Sequence, residues 1–132
     1  MAMKIKIMIV DDDSTTRKIL GMYVKQKGFE VVMAENGFDA LEKLARERVS
    51  LIMTDLNMPN MDGIELIKNL KANPDYAEIP VMMITTESDE VERQKAMAAG
   101  AAAYLVKPVT GDAVAAHVKE IIKQFFAGGH NA

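Results

Sequence analysis

The sequence predicts an α/β protein with a doubly wound, five-stranded parallel sheet and five helices covering both faces. Two observations carry this. Five short apolar runs alternate with five stretches whose apolar residues recur at helical spacing, and the connections between them are short, as parallel crossovers in a layered fold require. A third observation locates a site: the runs Ile5–Val10 and Leu51–Thr54 both end abruptly in aspartate, at Asp11, Asp12, Asp13 and at Asp55. The second of these runs is too short for a helix and has no polar face, which suits a strand covered on both sides.

Taken in order, Lys4 to Val10 reads as the first strand. Ser14 is placed to cap a helix with Ile19, Leu20, Tyr23 and Val24 on one face, ended by Gly28 at its C′ position. Glu30 to Ala34 is the second strand, and Asn36-Gly37 turns the chain into a helix with Phe38, Leu41, Leu44 and Ala45 inward. Leu51 to Thr54 is the third strand. Met61-Asp62-Gly63 leads into a helix carrying Ile64, Ile67 and Leu70, stopped at Asn73-Pro74. Pro80 introduces a strand from Val81 to Ile84. Ser88 is expected to cap the next helix, whose first turn holds Asp89 and Glu90, well placed for the helix dipole; Gly100 ends it. Tyr104 to Val106 is the fifth strand. Thr110 opens a last helix with Val114, Val118, Ile121, Ile122 and Phe125, and residues 127–132 are expected to form a disordered tail.

The 132 residues fit one domain with a substantial core, and 49% hydrophobic content is ordinary for a globular protein. No apolar run approaches the length of a membrane span, and Lys4 and Lys6 interrupt any signal-peptide core. The absence of cysteine excludes disulfides and thiolate metal sites and points to the cytoplasm. Sixteen Lys and Arg against nineteen Asp and Glu give a net charge of -3, which argues against a nucleic-acid partner.

In an open parallel sheet, ligands bind beyond the carboxyl ends of the strands. The residues at those ends are Asp11, Asp12, Asp55, Thr85 and Lys107. Any one aspartate after a strand reads equally well as a turn residue or cap, but turn chemistry does not require acids at two strand ends and a lysine at a third. Three carboxylates crowded at one rim repel one another, and Lys107 supplies a single compensating charge. An all-oxygen set completed by water suits Mg²⁺ rather than zinc or a caged Ca²⁺. Asp13 reads as facing solvent. A carboxylate beside a divalent cation and a lysine is suited to nucleophilic attack on phosphorus, with Thr85 donating a hydrogen bond to a phosphoryl oxygen.

Val10-Asp11-Asp12, the stretch Thr54-Asp55-Leu56-Asn57-Met58-Pro59-Asn60-Met61-Asp62-Gly63, Ile84-Thr85-Thr86-Glu87 and Tyr104-Leu105-Val106-Lys107-Pro108 resemble the response-regulator receiver family. The single-domain chemotaxis (CheY-like) type is especially similar, and the resemblance runs from about Lys4 to Phe126, with one receiver domain over 1–132. It implies the flavodoxin-like strand order 2-1-3-4-5, which is taken over from the family and not from the residues. It implies that Asp55 accepts a phosphoryl group from a sensor histidine kinase. Asp11, Asp12, Asp55 and the Asn57 backbone carbonyl would hold Mg²⁺. Lys107 would contact the phosphoryl group, with a cis bond to Pro108. Thr85 and Tyr104 would form the switch, and Asn57 and Glu87 would tune dephosphorylation. From the residues alone Tyr104 reads equally as a half-buried strand aromatic, and Asn57 and Glu87 as solvated loop residues.

The implied output surface is the fourth helix, fifth strand and fifth helix, contacting a downstream protein. The implied state is a monomer or phosphorylation-dependent dimer, free of membrane and nucleic acid, and the only chemistry is the protein's own phosphoryl transfer and autodephosphorylation. Two departures bear on the target. Asp13 stands where flagellar chemotaxis proteins carry an aromatic, and Ser88-Asp89-Glu90-Val91-Glu92-Arg93 is more acidic than in relatives that dock on the flagellar motor. Other functions fit less well. An aspartate-nucleophile phosphatase would place an acid where Asn57 stands. An FMN carrier would need a hydroxyl- and glycine-rich phosphate loop where the three aspartates stand. A receiver that works without phosphorylation would not need the full five-residue set.

Overall fold

The structure, a computed structural model, describes residues 5–127. Its elements are β1 (Lys6–Val10), α1 (Ser14–Gln26), β2 (Glu30–Ala34), α2 (Gly37–Leu44), β3 (Leu51–Thr54), α3 (Gly63–Ala72), β4 (Val81–Thr85), α4 (Glu90–Ala99), β5 (Ala103–Val106) and α5 (Gly111–Ile122). A π-helical turn, Lys123–Ala127, extends α5 and was not expected from the sequence. The proposed tail lies outside the described residues except for Ala127, which closes this turn.

The five strands pair in the order β2-β1-β3-β4-β5, all parallel. Side chains alternate between the faces of each strand. Ile7, Ile9, Leu51, Met53, Met82 and Ile84 pack beneath α1 and α5 against Leu20, Val24, Val114 and Val118. Met8, Val10, Ile52, Val81 and Met83 pack on the other side against Leu66, Ile67 and Leu70 of α3. Both faces of the central strands are therefore dry, which explains their unbroken apolar sequences. The winding reverses between β1 and β3. That is the topological position where a crevice opens at the carboxyl end of such a sheet.

Several local expectations are corrected. Asp13, not Ser14, caps α1 by accepting the Thr16 amide at 2.9 Å, and Asp89, not Ser88, caps α4 by accepting the Val91 amide at 3.0 Å. Each aspartate precedes or follows an equally good cap former, and the carboxylate takes the position. In α2 the inward stripe is Gly37, Ala40 and Leu44, at i, i+3 and i+7. Phe38 stands one residue, or about 100°, off that stripe and is 58% exposed. Ala45 lies past the last turn and is also exposed. Ile19 misses the Leu20–Val24 stripe of α1 in the same way, and Phe125 is exposed on the π-helical turn. Gly28, with φ of 91°, follows the α1 C-cap, and Gly100, with φ of 120°, caps α4.

Candidate functional site

Strand register assembles the site. Val10 is paired with Thr54, so Asp11 and Asp55 emerge side by side from adjacent strands, and the Asp55 amide donates to the Val10 carbonyl at 2.9 Å. Thr85 is paired with Val106, so Lys107 leaves the sheet one position further on, its amide bonded to the Thr85 carbonyl at 2.7 Å. The Lys107–Pro108 peptide is cis.

Asp11 is buried, and its two oxygens are divided between partners. Oδ1 accepts the Asp13 amide at 2.9 Å, and Oδ2 accepts Lys107 Nζ at 3.0 Å. Lys107 Nζ also stands 3.5 Å from Asp55 Oδ2. Asp55 Oδ1 accepts the Leu56 amide at 2.7 Å, which fixes the carboxylate plane. Asp12 is exposed and has no hydrogen-bond or ion-pair partner among the described residues. Asp11, Asp12 and Asp55 each present an oxygen within 4.8 Å of the other two. Asp11 and Asp55 share one ammonium and Asp12 has none, so carboxylates outnumber cations in this partly desolvated crevice. A divalent, oxygen-seeking cation fits that donor set, with exposed Asp12 free to complete the shell. Asp13 is exposed, and its bonds from Thr16 hold its carboxyl below the ordinary range. It serves α1 and not the cluster.

Thr85, Glu87 and Tyr104 form a second group beside the first. The fully buried Thr85 Oγ1 accepts the Glu87 amide at 3.2 Å, and the Tyr104 hydroxyl donates to the Glu87 carbonyl at 2.8 Å. The backbone of Glu87 thus joins a hydroxyl at the β4 end to an aromatic on β5, immediately before α4 begins. Burial pushes the Tyr104 phenol pKa up, and the negative charges of Glu87, Glu92, Asp89 and Asp55 push it further. Asn57 stands exposed in the loop after β3, its side chain without a hydrogen bond among the described residues.

Two supporting residues were not singled out from the sequence. Gly63, the first residue of α3, lies against Asp55 so closely that a Cβ would collide with the Asp55 carbonyl, and its amide donates to Leu56 O at 2.7 Å. Arg17 donates to the Asp11 carbonyl at 2.5 Å and fixes the turn that carries the acidic pair. Gly63 closes the Thr54–Gly63 stretch that carries the family resemblance, with no role attached to it there; nothing in the sequence marks Arg17. Asn60, with φ of 72°, completes the turn between Asp55 and α3.

A family model described as "Response regulator receiver domain" matches residues 7–119. The chain belongs to the response-regulator receiver family. It is 43% identical over 107 residues to "Chemotaxis protein CheY1" of Helicobacter pylori strain J99, covering 80% of this chain and 86% of that one. It is 36% identical over 119 residues to "Chemotaxis protein CheY homolog" of Campylobacter jejuni, covering 89% and 92%. The chemotaxis response regulator CheY4 of Vibrio cholerae superposes with a TM-score of 0.84 at 31% identity, covering 90% and 99%. Receiver domains of this CheY-like kind work in two-component signalling as signalling proteins, not as enzymes on outside substrates, and they bind Mg²⁺ at an acidic cluster. Among the described residues no helix is long and apolar enough to cross a membrane.

Proposed function

We propose that the protein is a phosphorylation-driven binding switch in which Asp55 accepts a phosphoryl group from a phosphohistidine of a sensor kinase. The observation that carries this is the arrangement of Asp55: partly exposed, held by the Leu56 amide, and set between two further carboxylates and the Lys107 ammonium. The Asp55 oxygen attacks phosphorus, the phosphorus–nitrogen bond breaks with its electron pair going to the ring nitrogen, and the imidazole, already protonated on its other nitrogen, departs as a neutral leaving group. Asp11, Asp12, Asp55 and the Asn57 carbonyl would hold Mg²⁺, which supplies positive charge against the carboxylates and the incoming phosphoryl oxygens. Lys107, already within reach of Asp55, turns its ammonium to a phosphoryl oxygen. The kinase segment sits in the groove of about 280 Å³ beside Lys107, whose apolar walls include Ile19, Leu20, Tyr23 and Pro108.

The signal passes through Glu87. When the Thr85 hydroxyl turns to donate to the phosphoryl group, the Glu87 amide loses its present arrangement, and the Glu87 carbonyl carries the change to Tyr104. The start of α4 and the middle of β5 move together, which biases a two-state equilibrium of the α4–β5–α5 face toward a downstream protein. Asn57 and Glu87 orient the water that hydrolyses the acyl phosphate, so the signal is self-limiting. The switch acts in the cytoplasm, as a monomer or a phosphorylation-dependent dimer of one domain.

The test places the phosphoryl group chemically. After incubation with acetyl phosphate, borohydride reduction converts an aspartyl phosphate to homoserine, and peptide mapping should find homoserine at position 55 alone. Homoserine at Asp11, Asp12 or elsewhere would overturn the assignment.

A further inference from the structure

Away from the acidic site, α1 and the edge strand β2 enclose a second groove, of about 480 Å³, lined by Lys18, Gly21, Met22, Lys25, Gln26 and Met33. We propose that this groove is a docking site for an acidic amphipathic helix of a partner protein, separate from the phosphorylation machinery. The five α1 residues fall at i, i+3, i+4, i+7 and i+8, a single stripe two turns long. Met33 rises from β2 to meet it. Gly21 is what lets them meet, because a Cβ there would lie 2.5 Å from the Met33 Cε. The floor is thus a thioether methyl on bare helix backbone, and beside it Met22 is 51% exposed. Two unbranched, polarizable side chains make an apolar floor that reshapes to an incoming surface.

Charge names the occupant. Lys18 and Lys25 stand at the two ends of the stripe, both exposed, and neither has a carboxylate within 4.0 Å among the described residues. Neighbouring lysines are paired: Lys27 with Asp112 at 3.7 Å and Lys43 with Asp39 at 3.1 Å. Two unpaired cations flanking exposed methionine on a chain of net charge -3 are a local inversion of the protein's sign. They lie seven residues apart, about 10.5 Å along the helix axis. A partner helix with two adjacent apolar residues, and an acid three residues to either side, repeats that spacing.

Other occupants fit less well. Strand addition at the β2 edge is obstructed because Lys43 Nζ already donates to the Met33 carbonyl at 2.5 Å. An anionic membrane would gain only two lysines and no aromatic anchor while facing a net-negative protein.

The experiment uses an alanine-rich helical peptide carrying Glu, two spacers, Leu-Leu, two spacers and Glu, titrated into the isotopically labelled protein. Amide shifts should change at Lys18, Met22, Lys25 and Met33 and leave Asp55 and Lys107 unmoved. Affinity should fall about tenfold in Lys18→Glu/Lys25→Glu, and fall with added salt. Met22→Glu should also lose binding. All these variants should accept phosphate from acetyl phosphate as the wild type does, which separates failure of this site from failure of the switch. The proposal is overturned by equal binding of the same peptide with lysine in place of glutamate, by unchanged affinity in the double variant, or by no shifts at the groove. Charge-dependent binding to phosphatidylserine vesicles without peptide binding would overturn it in favour of a membrane surface.

Discussion

Replacing Gly63 with alanine tests whether backbone packing sets the geometry of Asp55. The added methyl meets two kinds of neighbour. The Met83 Sδ and Cε, both 3.0 Å away, belong to a flexible side chain and can shift. The Asp55 carbonyl cannot, because the Asp55 amide is bonded to Val10 and its neighbour Leu56 is tied to the Gly63 amide. Overpacking of this kind costs about 1–3 kcal/mol, and alanine's helix preference returns well under 1 kcal/mol at the first helical position. For a domain of this size that loss lowers Tm by roughly 3–12 °C. The comparison is Gly28→Ala, where φ is 91° and nothing lies within 4 Å. That change carries only a left-handed backbone penalty of about 1–2 kcal/mol. Thermal unfolding by circular dichroism should therefore show both variants destabilised. Only Gly63→Ala should also slow acetyl phosphate labelling of Asp55, since only it displaces that residue. A Gly63→Ala protein with wild-type Tm and labelling rate would refute the reasoning.

Three further outcomes follow from the site. Asp12→Asn removes an unpaired carboxylate from a repelling trio, so Tm in Mg²⁺-free buffer should rise while Mg²⁺ affinity, read by calorimetric titration, falls; a fall in both would mean Asp12 is structural. Lys107→Ala strips buried Asp11 of its ammonium and should cost about 3 kcal/mol in urea unfolding. The phosphorylated variant should nevertheless fail to shift the α4 amides in nuclear magnetic resonance spectra, and a wild-type α4 response would remove Lys107 from the switch. The Tyr104 phenol has its pKa raised above 10.0 by burial and by Glu87, Glu92, Asp89 and Asp55. The fold therefore favours the protonated phenol, and its contribution is complete below the ordinary pKa and lost as pH rises through the raised one. An ultraviolet titration should show a tyrosine step displaced above pH 10.0 that is absent from Tyr104→Phe.

The parts legible in the sequence were those fixed by local chemistry. Apolar runs ending in Asp11 and Asp55 announced buried strands and a polar rim, and the alternation of runs with helical stripes announced the parallel sheet. The meeting of Asp11 and Lys107, 96 residues apart, was not local. It depends on the strand order, which came only with the family resemblance, and on the Val10–Thr54 and Thr85–Val106 registers, which came only with the structure. In α2 Leu41 and Leu44 pack inward as the spacing predicts, but Gly37, a residue with no apolar side chain, opens the inward stripe, and Phe38 and Ala45 face outward. Two caps slipped by one residue because Asp13 and Asp89 adjoin serines of equal capping ability. The contact of Gly63 with Asp55 and the hydrogen bonds joining Thr85, Glu87 and Tyr104 are products of packing between elements, for which no single segment carries a signal.

The most direct test of the central claim is the intact mass of the protein after incubation with acetyl phosphate, with and without Mg²⁺, for the wild type and for Asp55→Asn. The account predicts a single phosphoryl gain that requires Mg²⁺, decays after the donor is removed, and is absent from the folded mutant. No gain under any condition, or an equal gain in Asp55→Asn, would contradict it.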